Sequence, residues 1–325
     1  MTSGDTHLRR GLVIGCGGTL GAAWTVAALV AVQDALGWDP RDADVLAGTS
    51  AGAELVTMLG SGIGVDEILA MHLGQPTHPA LTRHLAGAPG RFPPLPRPRL
   101  GSPGLLRRGL PTITGLSGLL PDGGGDARWL DRLARALADD SGWVTHPETW
   151  LVAMDYASGT RVAFGATGAP IATLSQALRA SWAIPGWMPP VEIDGRRYVD
   201  GGTASTASVD LLVGRGLDEV IVLAPMASRG RIPGRGPAAV ERRMLRNWMS
   251  AGLDAEVAAL AASGTRVIRI DATAADLAVM GPNFMDDRRR LATLEHALRS
   301  TRTAVDRAVS SRTPPPAPTA GGPNS

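Results

Sequence analysis

A serine between two glycines is the residue of this chain best suited to nucleophilic chemistry. The pentapeptide Gly48-Thr49-Ser50-Ala51-Gly52 matches the pattern G-x-S-x-G, and it lies between a predicted strand and a predicted helix. Such flanking glycines allow a sharp turn that raises the serine above a sheet, where the helix N-terminus offers free N–H groups. The context predicts a nucleophile, and a turn serine that caps a helix is the alternative.

A glycine-rich loop precedes this serine. Its sequence is Gly15-Cys16-Gly17-Gly18-Thr19-Leu20-Gly21. The loop does not fit the dinucleotide pattern G-x-G-x-x-G, because Leu20 stands where the last glycine belongs. A Walker-type phosphate loop is excluded, since the chain contains no lysine. The remaining interpretation is an oxyanion hole, in which the N–H groups of Gly17, Gly18 and Thr19 bind the charge of a tetrahedral intermediate.

The third candidate is an aspartate at the predicted end of a strand. Asp200 is followed by Gly201 and Gly202, so its carboxylate can project from the strand into a site. For this tripeptide alone, an ordinary turn aspartate is the better interpretation. A catalytic interpretation of Asp200 therefore depends on the order of the three motifs along the chain.

In combination, these motifs resemble those of the patatin-like phospholipase family. That family begins with a strand and a glycine-rich oxyanion loop, continues with the serine of G-x-S-x-G, and closes with an Ala-Ser…Pro-Gly segment before a D-G-[GA] motif. The matching segments here are 12–21, 48–52, 180–186 and 200–202. The resemblance covers approximately residues 10–212 and implies a three-layer α/β fold, with a mostly parallel central sheet and helices on both faces.

The resemblance implies a catalytic dyad without histidine, in which Ser50 is the nucleophile and Asp200 is the base. The implied activity is hydrolysis of lipid acyl esters through an acyl-serine intermediate, with no metal or cofactor. A catalytically impaired lipid-binding or regulatory protein is the alternative. The glycines that support the three motifs are Gly15, Gly21, Gly48, Gly52, Gly201 and Gly202.

Two residues depart from the family pattern. Cys16 stands where a glycine is usual, and Leu20 stands where an arginine or lysine is usual. Loss of the basic residue bears on the catalytic rate and keeps the impaired alternative open. Cys16 is expected to be a small residue tolerated in the turn, with a reactive thiol beside the site as the alternative.

A Ser-His-Asp triad is the rival enzyme interpretation. Among the histidines only His296 follows Asp200 in the chain, and its partner would be Asp200 or Asp271. Because His296 lies in a charged helical stretch, we expect it at the surface. Four earlier histidines show no metal-ligand spacing: His72, His78, His84 and His146.

Composition limits the partners. The net charge of +2 does not favour nucleic acid, and an aromatic fraction of 4% leaves little for base stacking. The single cysteine excludes an internal disulfide and a multi-cysteine metal site. Sequence gives no oligomeric state.

The N-terminus superficially resembles a lipoprotein cleavage site. However, the apolar run between Arg10 and Cys16 is shorter than the roughly 7–15 apolar residues of a signal peptide. A buried strand is therefore predicted there. Because no uninterrupted apolar run reaches the ~20 residues of a membrane span, we expect a cytoplasmic protein, with transient contact to membrane surfaces as a further expectation.

Strand and helix patterns alternate along the chain, which predicts parallel strands with helical crossovers. The pair Asp194-Gly195 is a hairpin signal. Strands are predicted at 11–14, 45–47, 150–155, 161–164, 191–193, 197–199, 219–224 and 266–270. Helices are predicted at 21–36, 51–60, 127–138, 171–181, 238–262 and 286–309.

Residues 87–125 form a predicted insertion rich in Pro, Gly, Arg and Leu, where few regular elements are expected. One catalytic domain is predicted over 9–312, between a flexible start at 1–8 and a disordered tail at 313–325. A mixture of basic and apolar residues in the insertion suits an anionic lipid surface, and a solvated proline-rich segment is the alternative. The residues of this mixture are Arg91, Phe92, Leu95, Arg97, Arg99, Leu105, Leu106, Arg107 and Arg108.

Overall fold

The computed structural model describes residues 8–87, 90–108, 112–229 and 237–310. In these ranges eight strands form one sheet, and each end lies within two residues of its prediction. The strands are β1 (Arg10–Ile14), β2 (Val45–Thr49), β3 (Thr149–Asp155), β4 (Arg161–Phe164), β5 (Val191–Ile193), β6 (Arg196–Asp200), β7 (Glu219–Ala224) and β8 (Arg266–Asp271). The expected flexible start, apart from exposed Leu8, and the expected tail lie outside the described residues.

Ten helices accompany these strands in the same ranges. They are α1 (Gly18–Leu36), α2 (Ala51–Gly60), α3 (Val65–His72), α4 (Pro79–Leu85), α5 (Thr112–Ser117), α6 (Arg128–Leu137), α7 (Leu174–Ser181), α8 (Pro237–Ala262), α9 (Ala274–Met280) and α10 (Arg290–Ser310). The sequence did not indicate α3, α4, α5 or α9. None of these four is longer than eight residues, which is too short for a helical period to be recognised.

Several predicted helix starts were wrong. Helix α1 begins at Gly18 rather than at 21, because the Gly21 N–H already donates to the Gly17 carbonyl at 2.9 Å. Helix α7 begins at Leu174 rather than at 171, because Thr173 caps it. The final predicted helix is divided into a 3-10 turn, Asp287–Arg289, and α10.

The sheet is mixed and mostly parallel, as the resemblance implied. The strand order is β5-β6-β3-β2-β1-β7-β8, with β4 also paired to β3. The pairs β1–β2, β1–β7, β2–β3 and β7–β8 are parallel. The pairs β3–β4, β3–β6 and β5–β6 are antiparallel.

Alternate residues of the strands serve opposite faces of the sheet. Leu12 and Ile14 of β1 belong to a buried cluster with residues of α1, α2, α6, α7 and α10. The intervening Val13 belongs to a second cluster with Leu253 and Leu260 of α8. Helices therefore cover both faces, which gives three layers.

Helix α1 is long and apolar enough to cross a bilayer by length and composition. However, 67% of its apolar window is buried inside the fold, and it packs along α10. A helix that is apolar on all sides belongs to a protein interior as readily as to a membrane. The pattern therefore carries no membrane assignment.

Two strands that carry candidate residues end against adjacent residues of β3. Thr49 at the end of β2 pairs with Val152, and Asp200 at the end of β6 pairs with Ala153. Because β2 is parallel and β6 antiparallel to β3, the two strands approach each other with their carboxyl ends. This junction brings Ser50, which follows Thr49, next to Asp200.

The insertion contains little regular structure. Its elements are a 3-10 turn at Pro103–Arg108, helix α5 and one isolated bridge between Leu100 and Pro121. Leu105, predicted from sequence to contact lipid, is instead fully buried against Tyr156, Met154 and Val199. That prediction was wrong because two adjacent leucines of a 3-10 turn point in different directions.

Candidate active site

The backbone at Ser50 is bent into an unusual conformation. With φ of 57° and ψ of −122°, Ser50 lies in a region that non-glycine residues rarely occupy. The glycines two residues before and after it, Gly48 and Gly52, leave no room for a side chain, because other backbone atoms lie too close. A Cβ on Gly52 would lie 2.1 Å from the Ile14 carbonyl oxygen, and one on Gly48 would lie 2.3 Å from that of Gly52. The elbow expected from the motif is therefore held by β1.

A second serine supports the elbow from α7. The Ser50 N–H donates to the Ser181 Oγ at 2.9 Å, and the Ser181 hydroxyl donates to the Val152 carbonyl at 2.6 Å. Both serines are buried. Ser181 was not among the predicted site residues, although it lies in the Ala-Ser…Pro-Gly segment that carries the resemblance. Its partner Val152 is also the β3 residue on which β2 ends.

Asp200 is buried beside Ser50 and accepts a hydrogen bond from the Gly202 N–H at 2.7 Å. Burial raises the pKa of Asp200 to about 7, and the neighbouring Ser50 hydroxyl and the Gly202 N–H oppose that rise. An ordinary carboxylate is too weak a base for a serine, so this shift moves Asp200 towards the pKa that a general base needs near neutral pH.

The glycines after Asp200 permit close packing. A Cβ on Gly201 would lie 2.7 Å from the Val152 carbonyl oxygen, and one on Gly202 would lie 3.0 Å from the Cys16 Sγ. Gly15 is similarly restricted, because its Cβ would lie 2.9 Å from the Thr206 carbonyl oxygen. The three motifs thus touch one another through positions where side chains do not fit.

The first turn of α1 presents free N–H groups to the site. In the described structure, the N–H groups of Gly17, Gly18 and Thr19 have no acceptor, whereas the Leu20 N–H donates to the Phe284 carbonyl at 3.0 Å. Such unsatisfied donors are normal in a first helical turn. Gly17 and Gly18 line the same cleft as Ser50, but Thr19 lines a separate cavity of about 60 Å³. The geometry therefore favours Gly17 and Gly18 as oxyanion donors over Thr19.

Gly18 is the loop position where glycine is most strictly required. Its φ is +56°, and an added Cβ would lie 2.5 Å from Phe284 Cδ2 and 2.8 Å from Met285 Sδ. Phe284 thus packs on the loop while its carbonyl accepts the Leu20 N–H. Sequence gave no signal for Phe284, because it is distant from every motif.

The two departures from the family pattern have distinct positions. Leu20 is fully buried in the core cluster and does not line the cleft. Cys16 does line the cleft. Its burial, and to a lesser degree the negative charge of Asp200, raises the pKa of its thiol, which therefore stays protonated. Because the thiolate is the reactive form, Cys16 is an inert neighbour of the site.

The cleft above Ser50 has a volume of about 430 Å³, within the usual range of small-molecule sites. Asp200 is the only acidic or basic side chain among the described residues that line it. The apolar walls come from the insertion, the segments after α7 and β7, helix α8 and the region before α10. They consist of Ile113, Leu116, Leu120, Ile184, Pro185, Met226, Leu245, Trp248, Met249 and Phe284.

No histidine lines the cleft among the described residues. The Nε2 atom of His296 lies 3.2 Å from Asp276 of α9, and its side chain is 28% exposed, so the structure does not place it in a triad with Ser50. Buried His84 pairs with Glu54 at 2.7 Å. Burial, together with the charge of Arg290, lowers the pKa of His72 to about 3, so that its ring is neutral.

The other two histidines within the described residues have local structural partners. His78 caps α4, and His146 contacts Thr149 Oγ1 and the Ala43 carbonyl. Within the described residues, no group of three or more His, Cys, Asp or Glu side chains could hold a metal ion.

The chain was compared with protein families, with curated proteins and with solved structures. The family model described as patatin-like phospholipase matches residues 12–213, which is more than half of the chain. No curated protein matches the chain. Among solved structures, the crystal structure of VipD from Legionella pneumophila is similar, with 15% sequence identity and a TM-score of 0.43 over 92% of this chain and 67% of that chain.

Proposed function

This chain belongs to the patatin-like phospholipase family, and we propose that it is a serine hydrolase that cleaves carboxylic ester bonds of lipids through a Ser50–Asp200 dyad. The family supports lipid acyl hydrolase activity in general. The observation that carries this proposal is the position of the Ser50 hydroxyl beside the buried Asp200 carboxylate at the base of an apolar cleft. Without a histidine among the described cleft residues, Asp200 is the group that can accept the serine proton.

The proposed first half-reaction forms an acyl-serine. Asp200 takes the proton of Ser50 as Oγ attacks the ester carbonyl, and the N–H groups of Gly17 and Gly18 bind the developing oxyanion. Collapse of the tetrahedral intermediate breaks the bond to the alcohol oxygen. The leaving alcohol receives the proton that Asp200 holds, and Ser50 carries the acyl group.

The proposed second half-reaction releases the fatty acid. Asp200, again a carboxylate, takes a proton from a water molecule that attacks the acyl carbonyl. The same oxyanion donors stabilise the second tetrahedral intermediate. Its collapse breaks the bond to Oγ, and the proton on Asp200 returns to Ser50, which restores the dyad.

The cleft supports a substrate that is apolar next to the ester. Its walls are aliphatic and aromatic, and no basic side chain among the described lining residues could pair with a phosphate. We therefore propose that the acyl chain lies in the cleft and that a charged headgroup, if the lipid has one, lies outside. We further propose a cytoplasmic location, which is compatible with a chain whose one cysteine is free and buried.

The deciding experiment is hydrolysis of a p-nitrophenyl ester series of increasing acyl length by wild type, Ser50→Ala and Ser61→Ala. Ser61 lies at the other end of α2, and its hydroxyl bonds only to the Met58 carbonyl, so it controls for the substitution itself. We expect Ser50→Ala to lower kcat/KM by a factor on the order of 10⁴ or more. Ser61→Ala should behave as wild type.

The other outcomes are equally informative. Activity that survives in Ser50→Ala would refute the assignment of the nucleophile. If wild type is inactive on every ester and on phospholipid vesicles, hydrolysis itself is refuted and the lipid-binding alternative replaces it. If wild type is active, the dependence of kcat/KM on acyl length reports how much of the apolar cleft the acyl chain fills.

A further inference from the structure

Exposed apolar side chains are concentrated in the insertion. Of twelve large apolar side chains that are exposed in the described residues, seven lie between positions 92 and 120. A large exposed apolar patch of this kind often marks a surface that binds another protein, a ligand or a membrane. The seven are Phe92, Leu95, Leu100, Leu106, Leu116, Leu119 and Leu120.

Six of these residues form what we call the leucine surface: Leu95, Leu100, Leu106, Leu116, Leu119 and Leu120. Two antiparallel stretches carry most of it, joined by the Leu100–Pro121 bridge and by the Gly101 N–H bond to the Leu120 carbonyl at 2.9 Å. Leu106 is adjacent as well, because its Cδ2 lies 3.5 Å from where a Cβ on Gly115 would be. These contacts bring Leu100, Leu106 and Leu120 onto neighbouring stretches of the insertion.

The charge around the leucine surface has one sign. Residues 90–120 contain five arginines and no aspartate or glutamate, although the whole chain carries a net charge of only +2. Arg107 and Arg108 are exposed, and neither forms an ion pair within the part of the chain that the structure describes. Arg99 pairs with Asp122, which lies outside residues 90–120, at a distance of 3.7 Å.

The leucine surface is continuous with the cleft. Leu116 and Leu120 are almost half exposed and also line the cleft above Ser50. Leu116 of α5 thus belongs both to the cleft wall and to the leucine surface. A lipid leaving a bilayer at this point would pass directly from one apolar surface to the other.

From these observations we propose that the leucine surface and its arginines dock the protein on an anionic lipid bilayer, with the cleft mouth at the interface. Apolar side chains among arginines suit the boundary between acyl chains and anionic headgroups. A second copy of this chain is a poorer occupant, because two such surfaces would bring ten arginines together. Docking is independent of catalysis; its role in delivering substrate rests on the proposed function.

Point variants test the proposed bilayer docking better than a deletion of the insertion does. Removing residues 93–108 would also remove buried Leu105 and the tight contact of Gly101 with Tyr156, so that loss of binding could reflect misfolding. Leu95→Ser changes a side chain that is 92% exposed, and Ile171→Ser changes one that is 96% exposed far from the insertion in sequence. Arg107→Gln/Arg108→Gln is matched by Arg299→Gln/Arg307→Gln, two exposed arginines of α10.

The measurement is flotation of the full chain with phosphatidylcholine vesicles, with and without phosphatidylglycerol. We expect wild type to bind the anionic vesicles, and binding to weaken as salt screens the arginines. Leu95→Ser and the Arg107/Arg108 double variant should each weaken binding about tenfold. Both control variants should bind as wild type.

Three results would overturn the proposal. These are no binding of wild type to anionic vesicles, equal losses in test and control variants, and a dimer in solution that Leu95→Ser converts to a monomer without vesicle binding. Hydrolysis of a soluble p-nitrophenyl ester by the same variants is the independent readout, and it should be unchanged because these residues do not line the cleft. If vesicles bind but no ester is hydrolysed, the docking surface stands and the proposed function fails.

Discussion

The end of the sheet and the insertion form two sides of one cleft and are held together by different forces. At the end of the sheet, backbone contacts backbone, as where a Cβ on Gly52 would meet the Ile14 carbonyl. The insertion is held instead by isolated anchors such as Leu105, between segments that are largely exposed. One side of the cleft is therefore rigid by steric necessity, and the other depends on a few side chains.

This difference matches what each side has to do. A nucleophile, a base and oxyanion donors must keep their mutual distances, which rigid elements achieve better than loops. A surface that meets a fluid bilayer needs exposed area and charge but no fixed geometry. We therefore expect substitutions at the end of the sheet to affect catalysis and folding strongly, and exposed substitutions in the insertion to affect mainly lipid contact.

The largest effect is expected from Asp200→Asn. Without a base, kcat/KM should fall by about 10³–10⁴-fold. Asp194→Asn, in the turn of the same hairpin, is the matched control, because Asp194 is exposed and asparagine tolerates its φ of 48°. Steady-state kinetics on a soluble ester decides this, and comparable rates for wild type and Asp200→Asn would remove Asp200 from the mechanism.

The pH dependence sharpens the same test. Since Asp200 acts as the carboxylate and burial raises its pKa to about 7, kcat/KM of wild type should rise with pH and reach half its maximum near pH 7. The folded pKa also exceeds the unfolded value of 3.8, so stability from this group is full below about pH 4 and is lost as pH rises through 7. Asp200→Asn should therefore gain unfolding free energy relative to wild type as pH rises from about 4 to 7, and the gain should reach a few kcal/mol above pH 7.

The next largest effect separates glycines of the two regions. Gly52→Ala places a Cβ 2.1 Å from a backbone oxygen, whereas Gly104→Ala, in the insertion, places one where nothing lies within 4 Å. We expect Gly52→Ala to lower the free energy of unfolding by about 3 kcal/mol or more and Gly104→Ala to change it by less than about 1 kcal/mol. Urea denaturation, monitored by tryptophan fluorescence, measures both values. Similar midpoints would show that the two regions tolerate an added Cβ atom equally well.

The smallest effect tests the anchor within the insertion. Leu105 is fully buried and Leu106 is almost half exposed, so the same substitution at adjacent residues should have unequal costs. Leu105→Ala is expected to cost about 2–4 kcal/mol of unfolding free energy, and Leu106→Ala less than about 1 kcal/mol. The same urea titration applies. If both variants unfold like wild type, Leu105 is no anchor and the insertion is held in another way.

Much of the fold was predictable because long helices repeat their pattern over many residues and short strands are bounded by turn signals such as Asp194-Gly195. All eight strands and the helix after Ser50 were predicted in this way, while α3, α4, α5 and α9 were too short to show a helical period. The site was predicted in part. Ser50, Asp200 and the glycine loop lie in local motifs, but Ser181 as the acceptor of the Ser50 N–H had no local signal, since its partners are far away in sequence.

The sequence by itself determined which atoms can react and where the backbone must turn, because both depend on residue type and on close neighbours. A glycine is needed where another part of the backbone leaves no room for a Cβ atom, and the glycine itself can be read from the sequence. Only the tertiary structure decided the junction of β2 and β6 on β3, the buried environment that raises the pKa of Asp200, and the burial of Leu105 but not Leu106. These properties are sums over contacts between distant segments, so no single stretch of sequence contains them.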